Sequence, residues 1–573
     1  MPLDNETRLI IRKYAIKNAI DYGKANEGSV LNKAISLNPD LKSDIKSLAQ
    51  EVGKEVTKVN SMQKSELEQE YRNYAEEFDK QAQAKAKVAK PKFVLEGVKN
   101  GEFIGRASPE PSGYAHMGHA KQALLNYEFA RRYSGKMYLY FDDTNPEKSK
   151  QEYVEAIKRD LEWLGVKFDK EYYASDNVEL IYGYARQMIK SAKAYVCMCD
   201  RDKMKKERLE GIGCEHRNTN PEKNLQLFDD MVKGKFKEGE AVVRFVGDMT
   251  SQNTTMRDPV LLRIVDAPHY RMGNKYHVWP VYDFNTPILD SVNGITDIIR
   301  SKEYELRDEL LKTILGALNL RVPRMHLEAR LNIKGNVVQK RVIRKLLEDG
   351  FVTSWDDPRL MTLMALRRRG IQPEALREFV LRFGMSKTDS TVSIDILLAE
   401  NKKVIDPIAK HLFFVPDPIQ VSVKGAKETN VKLKLYPTKD DEFREYTVSD
   451  SFYISKDDAD QAKSGEIIRL KDLMDITITS KGKSISADLG TGTSKDKIIQ
   501  WVSEGNYEKC SIVIPGQIVD DDDQFNPDSL KTIEGYAESY VTNLKEHDIV
   551  QFERFGYCIL DNKKSNQFIF ISK

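Results

Sequence analysis

The sequence predicts a multidomain protein with a doubly wound α/β core, a helical N-terminal extension, an insertion within the core, a helical connective segment and a C-terminal all-β part. Three observations carry that expectation. Apolar strand patterns alternate with amphipathic helical patterns from about residue 96 to 195 and return at Val278 to Arg300, as a parallel sheet with crossover helices requires. Residues 1–95 show helical spacing alone. Everything beyond Phe413 reads as short strands separated by Gly, Asp, Asn and Pro, which predicts two β-barrels.

Each element has a local reason. Leu9, Ile10, Tyr14, Ala15, Ile16 and Ile20 recur at helical spacing, with Gly23 as a stop. Gln63 to Lys90 is charged and alanine-rich with almost no large apolar face, and reads as a solvated helix or a hinge. Phe103-Ile104 is a buried strand, Ala115 to Arg132 an amphipathic helix, Lys136 to Phe141 a second strand, and Ser149 to Leu164 and Val178 to Ala194 further helices. A cysteine cluster and a short strand, Glu240 to Phe245, interrupt the pattern between about 195 and 280, and a long helical stretch runs from about 340 to 412. These shifts divide the chain at 1–95, 96–195, 196–277, 278–335, 336–412 and 413–573. The acidic run Asp520 to Asp523 is expected to be a solvated loop.

With 573 residues the chain is too long for one core and can form large sites between domains. Its 90 basic and 88 acidic side chains nearly cancel, so a nucleic acid site must be a local patch rather than a global field. No run of about eighteen apolar residues could cross a bilayer, and the N-terminus lacks the charged and apolar regions of a signal peptide; a cytoplasmic address is expected. Five cysteines do not make a secreted disulfide framework. Three of them, Cys197, Cys199 and Cys214, lie in one short segment with His216. Two close ligand pairs of thiolates and an imidazole suit tetrahedral Zn²⁺ in a closed, structural site, although the spacing departs from C-x-x-C; free buried thiols are the alternative.

The segment Pro109-Glu-Pro-Ser-Gly-Tyr-Ala-His-Met-Gly-His119 carries the most chemistry. Pro109 to Gly113 cannot continue the preceding strand, and His116 and His119 share one face of the first turn of the helix that follows. Free N–H groups and the positive end of the helix dipole favour an anion there, and two imidazoles can hydrogen-bond phosphate or ribose oxygens. Gly118 leaves the helix surface bare, so that a purine or ribose can approach the backbone. A second turn, Asp142-Asp-Thr-Asn-Pro146, offers carboxylates at the end of the next strand. Both turns fall at the carboxyl ends of strands, where open α/β sheets bind ligands.

Taken together, Arg106-Ala-Ser-Pro-Glu-Pro-Ser-Gly-Tyr-Ala-His-Met-Gly-His-Ala-Lys121 resembles the HIGH signature of class I aminoacyl-tRNA synthetases in the form used by glutamyl and glutaminyl enzymes. Further segments carry the same resemblance in the same order: Phe141-Asp-Asp-Thr-Asn-Pro146, with Tyr140 in place of the family's arginine; Trp279-Pro-Val-Tyr-Asp-Phe284; and Gly294-Ile-Thr-Asp-Ile-Ile-Arg-Ser-Lys-Glu-Tyr304, with Asp297 where a histidine usually stands. Arg330-Leu-Asn-Ile-Lys-Gly-Asn-Val-Val-Gln-Lys-Arg341 is similar to the KMSKS loop, with Val338 and Gln339 in place of methionine and serine. Trp355 to Ile371 is similar to a segment that lies along the inner face of tRNA, with Met361 in place of proline. The likeness extends from the helical N-terminus to Phe552-Glu-Arg-Phe-Gly556 and is to glutamyl-tRNA synthetases of the archaeal and eukaryotic type.

The resemblance implies a Rossmann-like catalytic domain, an acceptor-binding insertion and anticodon-binding barrels. It implies ATP, as its Mg²⁺ complex, as a substrate. His116, His119, Lys340 and Arg341 would be catalytic, and Glu110, Pro111, Ser112, Gly118, Ser301, Arg330 and Leu331 would line the ATP site together with His116, His119 and Lys340. Arg106, Asp142, Tyr282 and Arg300 would hold L-glutamate, with Asp142 on the α-ammonium group and the arginine forks on the side-chain carboxylate. Arg359, Arg367, Arg368 and Arg369 would meet tRNA phosphates. Some glutamyl enzymes carry a C-x-C and C-x-H zinc site in the same insertion. The expected partner is tRNA(Glu), with tRNA(Gln) open as a second acceptor, and no membrane; the chain is expected to act as a monomer. Arg300 opposes a glutaminyl enzyme, whose matching residue is typically uncharged. The altered KMSKS-like loop leaves a non-catalytic RNA-binding scaffold as the other alternative.

Overall fold

The computed structural model describes residues 4–37, 41, 45–87, 94–439, 441–490, 497–520 and 524–573. Asp521 to Asp523 of the acidic run, and residues 88–90 of the alanine-rich segment, lie outside them. The chain forms two compact units, 1–92 and 93–573.

The first unit is four helices, Asn5–Tyr22, Glu27–Leu37, Ile45–Ser61 and Lys64–Lys87. Asp4 caps the first by accepting from the Thr7 N–H at 2.6 Å, and Gly23 ends it at φ +80°, a conformation that favours glycine. Its buried stripe is Ile11, Ala15, Ile16 and Ala19, against Val30, Val52, Val56 and Val59; Leu9, expected on that face, is exposed. The fourth helix is a packed element rather than a solvated one as far as Phe78. Leu67 and Phe78 are buried, Tyr71 stacks on Phe78, and Glu70 and Glu55 both pair with Arg12. Two aromatic residues and a leucine dispersed among charges seal a helix that charge content alone makes look solvated.

In the second unit, strands Ile104–Ala107, Lys136–Phe141 and Lys170–Tyr173 form a parallel sheet in that order. Asp297–Ser301 and Arg324–Glu328 form a parallel pair, and the Thr296 N–H donates to the Ile104 carbonyl at 2.9 Å. The first strand therefore lies centrally between the two halves, and its carboxyl end is the switch point of the doubly wound fold. The insertion is a four-stranded antiparallel sheet of Ala194–Cys197, Val242–Phe245, Val260–Ile264 and Val278–Pro280. Of its outer strands, Ala194–Cys197 straddles the expected limit of 196 and Val278–Pro280 lies just beyond 277, because edge pairing is invisible to periodicity.

Helices Lys340–Glu348, Leu363–Arg368, Pro373–Phe383 and Asp395–Ile405 make the connective part. Two seven-stranded sheets follow, and they are nested rather than sequential. Lys410–Leu412 and Phe414–Pro416, successive in the chain, are the opposite edges of the sheet completed by strands between Tyr507 and Ser572, so it closes on itself at Phe413. The other sheet, built from Pro418 to Ser503, closes similarly where Ile498–Ile499 and Val502–Ser503 flank Trp501. Ile518 and Val519, in a loop of the outer barrel, pack on Val337, Ile343 and Leu346, and so brace the segment that carries Lys340.

Candidate active site

A cavity of about 680 Å³ opens at the carboxyl end of the central strand. It gathers Arg106, Glu110, His116, Gly118, His119, Asp142, Tyr282, Arg300, Ser301 and Lys340, ten of the residues singled out by sequence, from segments up to 234 positions apart (340 − 106).

At one end stands the first turn of the helix Met117–Arg132. His116 is its N-cap: its Nδ1 accepts from the Gly118 N–H at 3.0 Å, while His119 Nδ1 accepts from the His116 N–H at 3.2 Å. With both Nδ1 atoms engaged as acceptors, each neutral ring carries its proton on Nε2. Burial and the nearby Lys340 ammonium push His116 down to about 4; burial and then His116 push His119 well below the ordinary histidine value. Both imidazoles are therefore neutral donors at pH 7. Gly118 is required beneath them, since a Cβ there would lie 2.9 Å from His116 Cε1. Lys340, the first residue of its helix, reaches back so that Nζ donates to the Glu110 carbonyl and to Ser112 Oγ, both at 3.3 Å. Burial lowers its affinity for the proton and Glu110 opposes that.

The other end is ionic. Asp142 Oδ1 accepts from Thr144 Oγ1 and Asn285 Nδ2, each at 3.2 Å. Burial, Glu110 and Asp143 push its carboxyl up to about 7, and a cation bound beside it would favour the ionised form, the proton passing to solvent. Arg300 is buried, pairs through Nη2 with Asp308 and faces the Tyr304 ring at 5.7 Å, leaving its buried Nε without a hydrogen-bond partner. Tyr282 packs beside Tyr304 at 5.3 Å. Arg106 departs from expectation: its Nε and Nη2 form a fork on Asp290 at 2.7 and 2.8 Å, and Nη1 donates to Ser108. A fully buried arginine needs such a counter-ion, so its fork is engaged within the protein even though it lines the cavity.

Several expected residues stand elsewhere. Pro111, Ser112, Arg330, Leu331 and Arg341 do not line the cavity; Ser112 acts through Lys340, Arg330 pairs with Glu303 at 2.7 Å, Leu331 is a core strand residue and Arg341 is exposed. Asp297, at the position of the family's histidine, is buried beneath the site. Burial works against its charge, but Arg324, His326 and Thr296 outweigh that and hold it at about 2. Among the proposed RNA contacts, Arg359 is buried in a fork on Asp357 with Ser529 beyond it, and Arg369 is buried against Ile571; neither presents its guanidinium to a phosphate. Arg368 pairs with Asp561, and Arg367 is the most exposed of the four. The sequence places three arginines at a helix end but does not say which way each points.

Sequence reasoning missed Gln122, Arg263, Asn285, Tyr304, Arg307 and Glu328. All except Asn285 line the cavity, and Asn285 buttresses Asp142. Two left a trace: Tyr304 ends the segment that begins at Gly294, and Asn285 stands one helical turn after Tyr282. Arg263 comes from the insertion, and its buried Nε has no hydrogen-bond partner.

In the insertion, Cys197, Cys199, Cys214 and His216 bring their ligand atoms within 4.8 Å of one another. Cys197 Sγ lies 3.7 Å from Cys214 Sγ, and Cys199 Sγ 3.5 Å from His216 Nδ1. A tetrahedron with metal–sulfur bonds of about 2.3 Å has sulfur–sulfur edges of about 3.8 Å and a sulfur–nitrogen edge of about 3.5 Å, so the spacing fits a tetrahedral metal. In the barrels, a second cleft of about 660 Å³ is lined mainly by basic side chains, including His411, Lys432, Lys471 and Arg554, with Gln551, whose buried Oε1 has no hydrogen-bond partner.

Comparison with known proteins agrees with this layout. The catalytic-domain model of class I tRNA synthetases (E and Q) matches residues 103–407, and two anti-codon binding domain models of the same class match 409–489 and 498–561. The chain is 39% identical to a glutamate–tRNA ligase of Nitrosopumilus maritimus over the whole of both chains. It is 40% identical to those of Pyrococcus furiosus and Pyrococcus abyssi, over 99% of each chain in both cases.

Proposed function

The chain belongs to the class I tRNA synthetases for glutamate and glutamine, and from that premise we propose that it is a glutamate–tRNA ligase. In the first step the α-carboxylate oxygen of glutamate attacks the α-phosphorus of ATP, forming the mixed anhydride as the bond to pyrophosphate breaks. In the second, the 2′-OH of the terminal adenosine of tRNA(Glu) attacks the glutamyl carbonyl, its proton leaves, and AMP departs. No covalent enzyme intermediate is needed; positioning and charge stabilisation carry the rate.

The observation that carries the choice of glutamate is Arg300, a buried guanidinium with an unpartnered Nε at the end of the cavity opposite the histidines. A glutamine amide would bring an N–H₂ donor to a cation, whereas a carboxylate brings two acceptors. Asp142 takes the α-ammonium group. His116 and His119 donate Nε2–H to phosphate oxygens, and Lys340 neutralises the departing pyrophosphate. ATP enters as its Mg²⁺ complex. The tetrad of Cys197, Cys199, Cys214 and His216 holds Zn²⁺, which ties the insertion together away from the chemistry. The insertion receives the acceptor end, the barrels receive the anticodon, and the basic cleft of Lys432, Lys471 and Arg554 is the surface for unpaired bases.

Pyrophosphate exchange with glutamate or glutamine, with and without tRNA, tests this reading. Exchange with glutamate alone among the two amino acids is expected. Exchange with glutamine would make it a glutaminyl enzyme, and exchange with neither would favour an RNA-binding scaffold. For zinc, about one equivalent is expected in protein purified without chelators; no metal with three reduced thiols would remove the assignment. Charging assays on tRNA(Gln) decide whether it is a second acceptor.

A further inference from the structure

We infer that the turn His269–Tyr270–Arg271 of the insertion is a positioning latch for the carboxylate that holds the amino acid's ammonium group, acting through Asp143. The inference rests on the glutamate-binding role proposed above for Asp142.

Adjacent residues of extended chain point their side chains in opposite directions. Asp142 faces the cavity, and Asp143, fully buried, faces the insertion. Asp143 is held on every polar atom of its side chain. Oδ1 accepts from the Ser175 N–H at 2.8 Å, and Oδ2 accepts from Ser175 Oγ at 2.8 Å and from the Tyr270 hydroxyl at 2.9 Å. His269 fixes its main chain. His269 Nδ1 accepts from the Arg271 and Met272 N–H groups, each at 3.2 Å, so Nε2 carries the proton and donates to the Asp143 carbonyl at 2.8 Å. Arg271 closes the ring: Nη1 donates to Ser175 Oγ at 3.0 Å, Nη2 pairs with Asp176, and its guanidinium lies 3.9 Å from the centre of the Tyr173 ring. The His269 ring stacks on Trp279 at 4.8 Å, three residues before Tyr282.

Asp142 itself is tied less firmly, by its N–H to the Pro109 carbonyl and by two 3.2 Å bonds from Thr144 and Asn285. The torsions that aim it are set by the clamp on its neighbour. An ion pair between a carboxylate and an ammonium group depends steeply on that aim, whereas phosphates bound at the far end of the cavity do not. Tyr270, His269 and Ser175 touch neither substrate; they are positioning residues.

Steady-state pyrophosphate exchange on the full-length protein tests this with Tyr270→Phe and Ser175→Ala, each of which removes one hydroxyl, alone and combined with Asp142→Asn. Losing one buried hydrogen bond to a carboxylate should raise the KM for glutamate about fivefold or more, while the KM for ATP and kcat stay within about twofold. In the Asp142→Asn background the same substitutions should add little, because the effect passes through Asp142. Thermal unfolding midpoints check that both variants are folded; if Tyr270→Phe is not, Ser175→Ala carries the comparison. An unchanged KM for glutamate in a folded variant, an equal rise in the KM for ATP, or full additivity with Asp142→Asn would overturn the latch. A wild-type protein that activates no glutamate would instead overturn the function on which it rests.

Discussion

The two ends of the cavity are built in opposite ways. At the phosphate end, His116 and His119 are set by one turn of helix and by backbone groups two or three residues away. Near the amino acid end, Arg106 is set by Asp290 and Asp142 by Asn285, partners more than a hundred residues off. The phosphate end presents neutral donors and one lysine; the other presents arginines already in ion pairs and a carboxyl held by neutral donors. A polyanion with Mg²⁺ needs directional hydrogen bonds and limited added charge. A zwitterion with a second carboxylate needs fixed charges of both signs.

The amino acid end depends most strongly on Arg300. Replacing it by leucine leaves the glutamate carboxylate and Asp308 without their cation, at a cost of about 2 to 5 kcal/mol, and kcat/KM for glutamate should fall by that factor while the KM for ATP holds. A near wild-type kcat/KM would remove the basis for choosing glutamate. Next is Lys340→Ala, which should slow adenylate formation about a hundredfold, the usual scale for losing one transition-state charge partner, with the KM for glutamate little changed. Single-turnover rates in the presence of tRNA measure this.

A smaller effect follows from Asp142. Its carboxyl, at about 7 through burial and its acidic neighbours, must be ionised to bind an ammonium group. The KM for glutamate should therefore fall as pH rises from about 6 to 8 and then level off. The histidines, already neutral because burial lowers them, should add no inflection there. A KM that is flat across this range, or that rises with pH, would contradict the role of Asp142. Smallest of all is Gln339→Ser, which restores a hydroxyl beside Lys340 and should leave activation similar or raise it slightly.

The same contrast governs what could be read from the chain. The turn from Pro109 to His119 was legible because strand, turn, cap and helix are contiguous, and both Gly118 and the histidines work within that span. Lys136 to Phe141 is a strand with the limits its apolar run predicts. Ionic partners were not legible. Nothing near Arg106 announces Asp290, and nothing in the arginine run announces that Arg369 turns inward while Arg367 does not. Nesting of the barrels was hidden for a related reason: Lys410–Leu412, expected to end the helical stretch, is a strand beyond the last helix at Ile405, and it and Phe414–Pro416 pair at opposite edges of one sheet. Tyr304, Arg307 and Glu328 reach the cavity from a short 3-10 helix, the first residue of a helix and the last residue of a strand, ends of elements where sequence alone gives no direction for a side chain.

One cavity joins a neutral phosphate end to an end built for a carboxylate. Calorimetric titration with two non-hydrolysable sulfamoyl-adenosine analogues, one carrying the glutamyl and one the glutaminyl side chain, tests it most directly. The analogues share every group that the phosphate end and Asp142 meet, so their difference isolates the side-chain pocket. The glutamyl analogue should bind about a hundredfold or more tightly than the glutaminyl one, and Arg300→Leu should collapse that ratio while leaving the glutaminyl affinity nearly unchanged. Equal affinities for the wild-type protein, or a ratio that survives the loss of Arg300, would mean that Arg300 does not select the side-chain carboxylate.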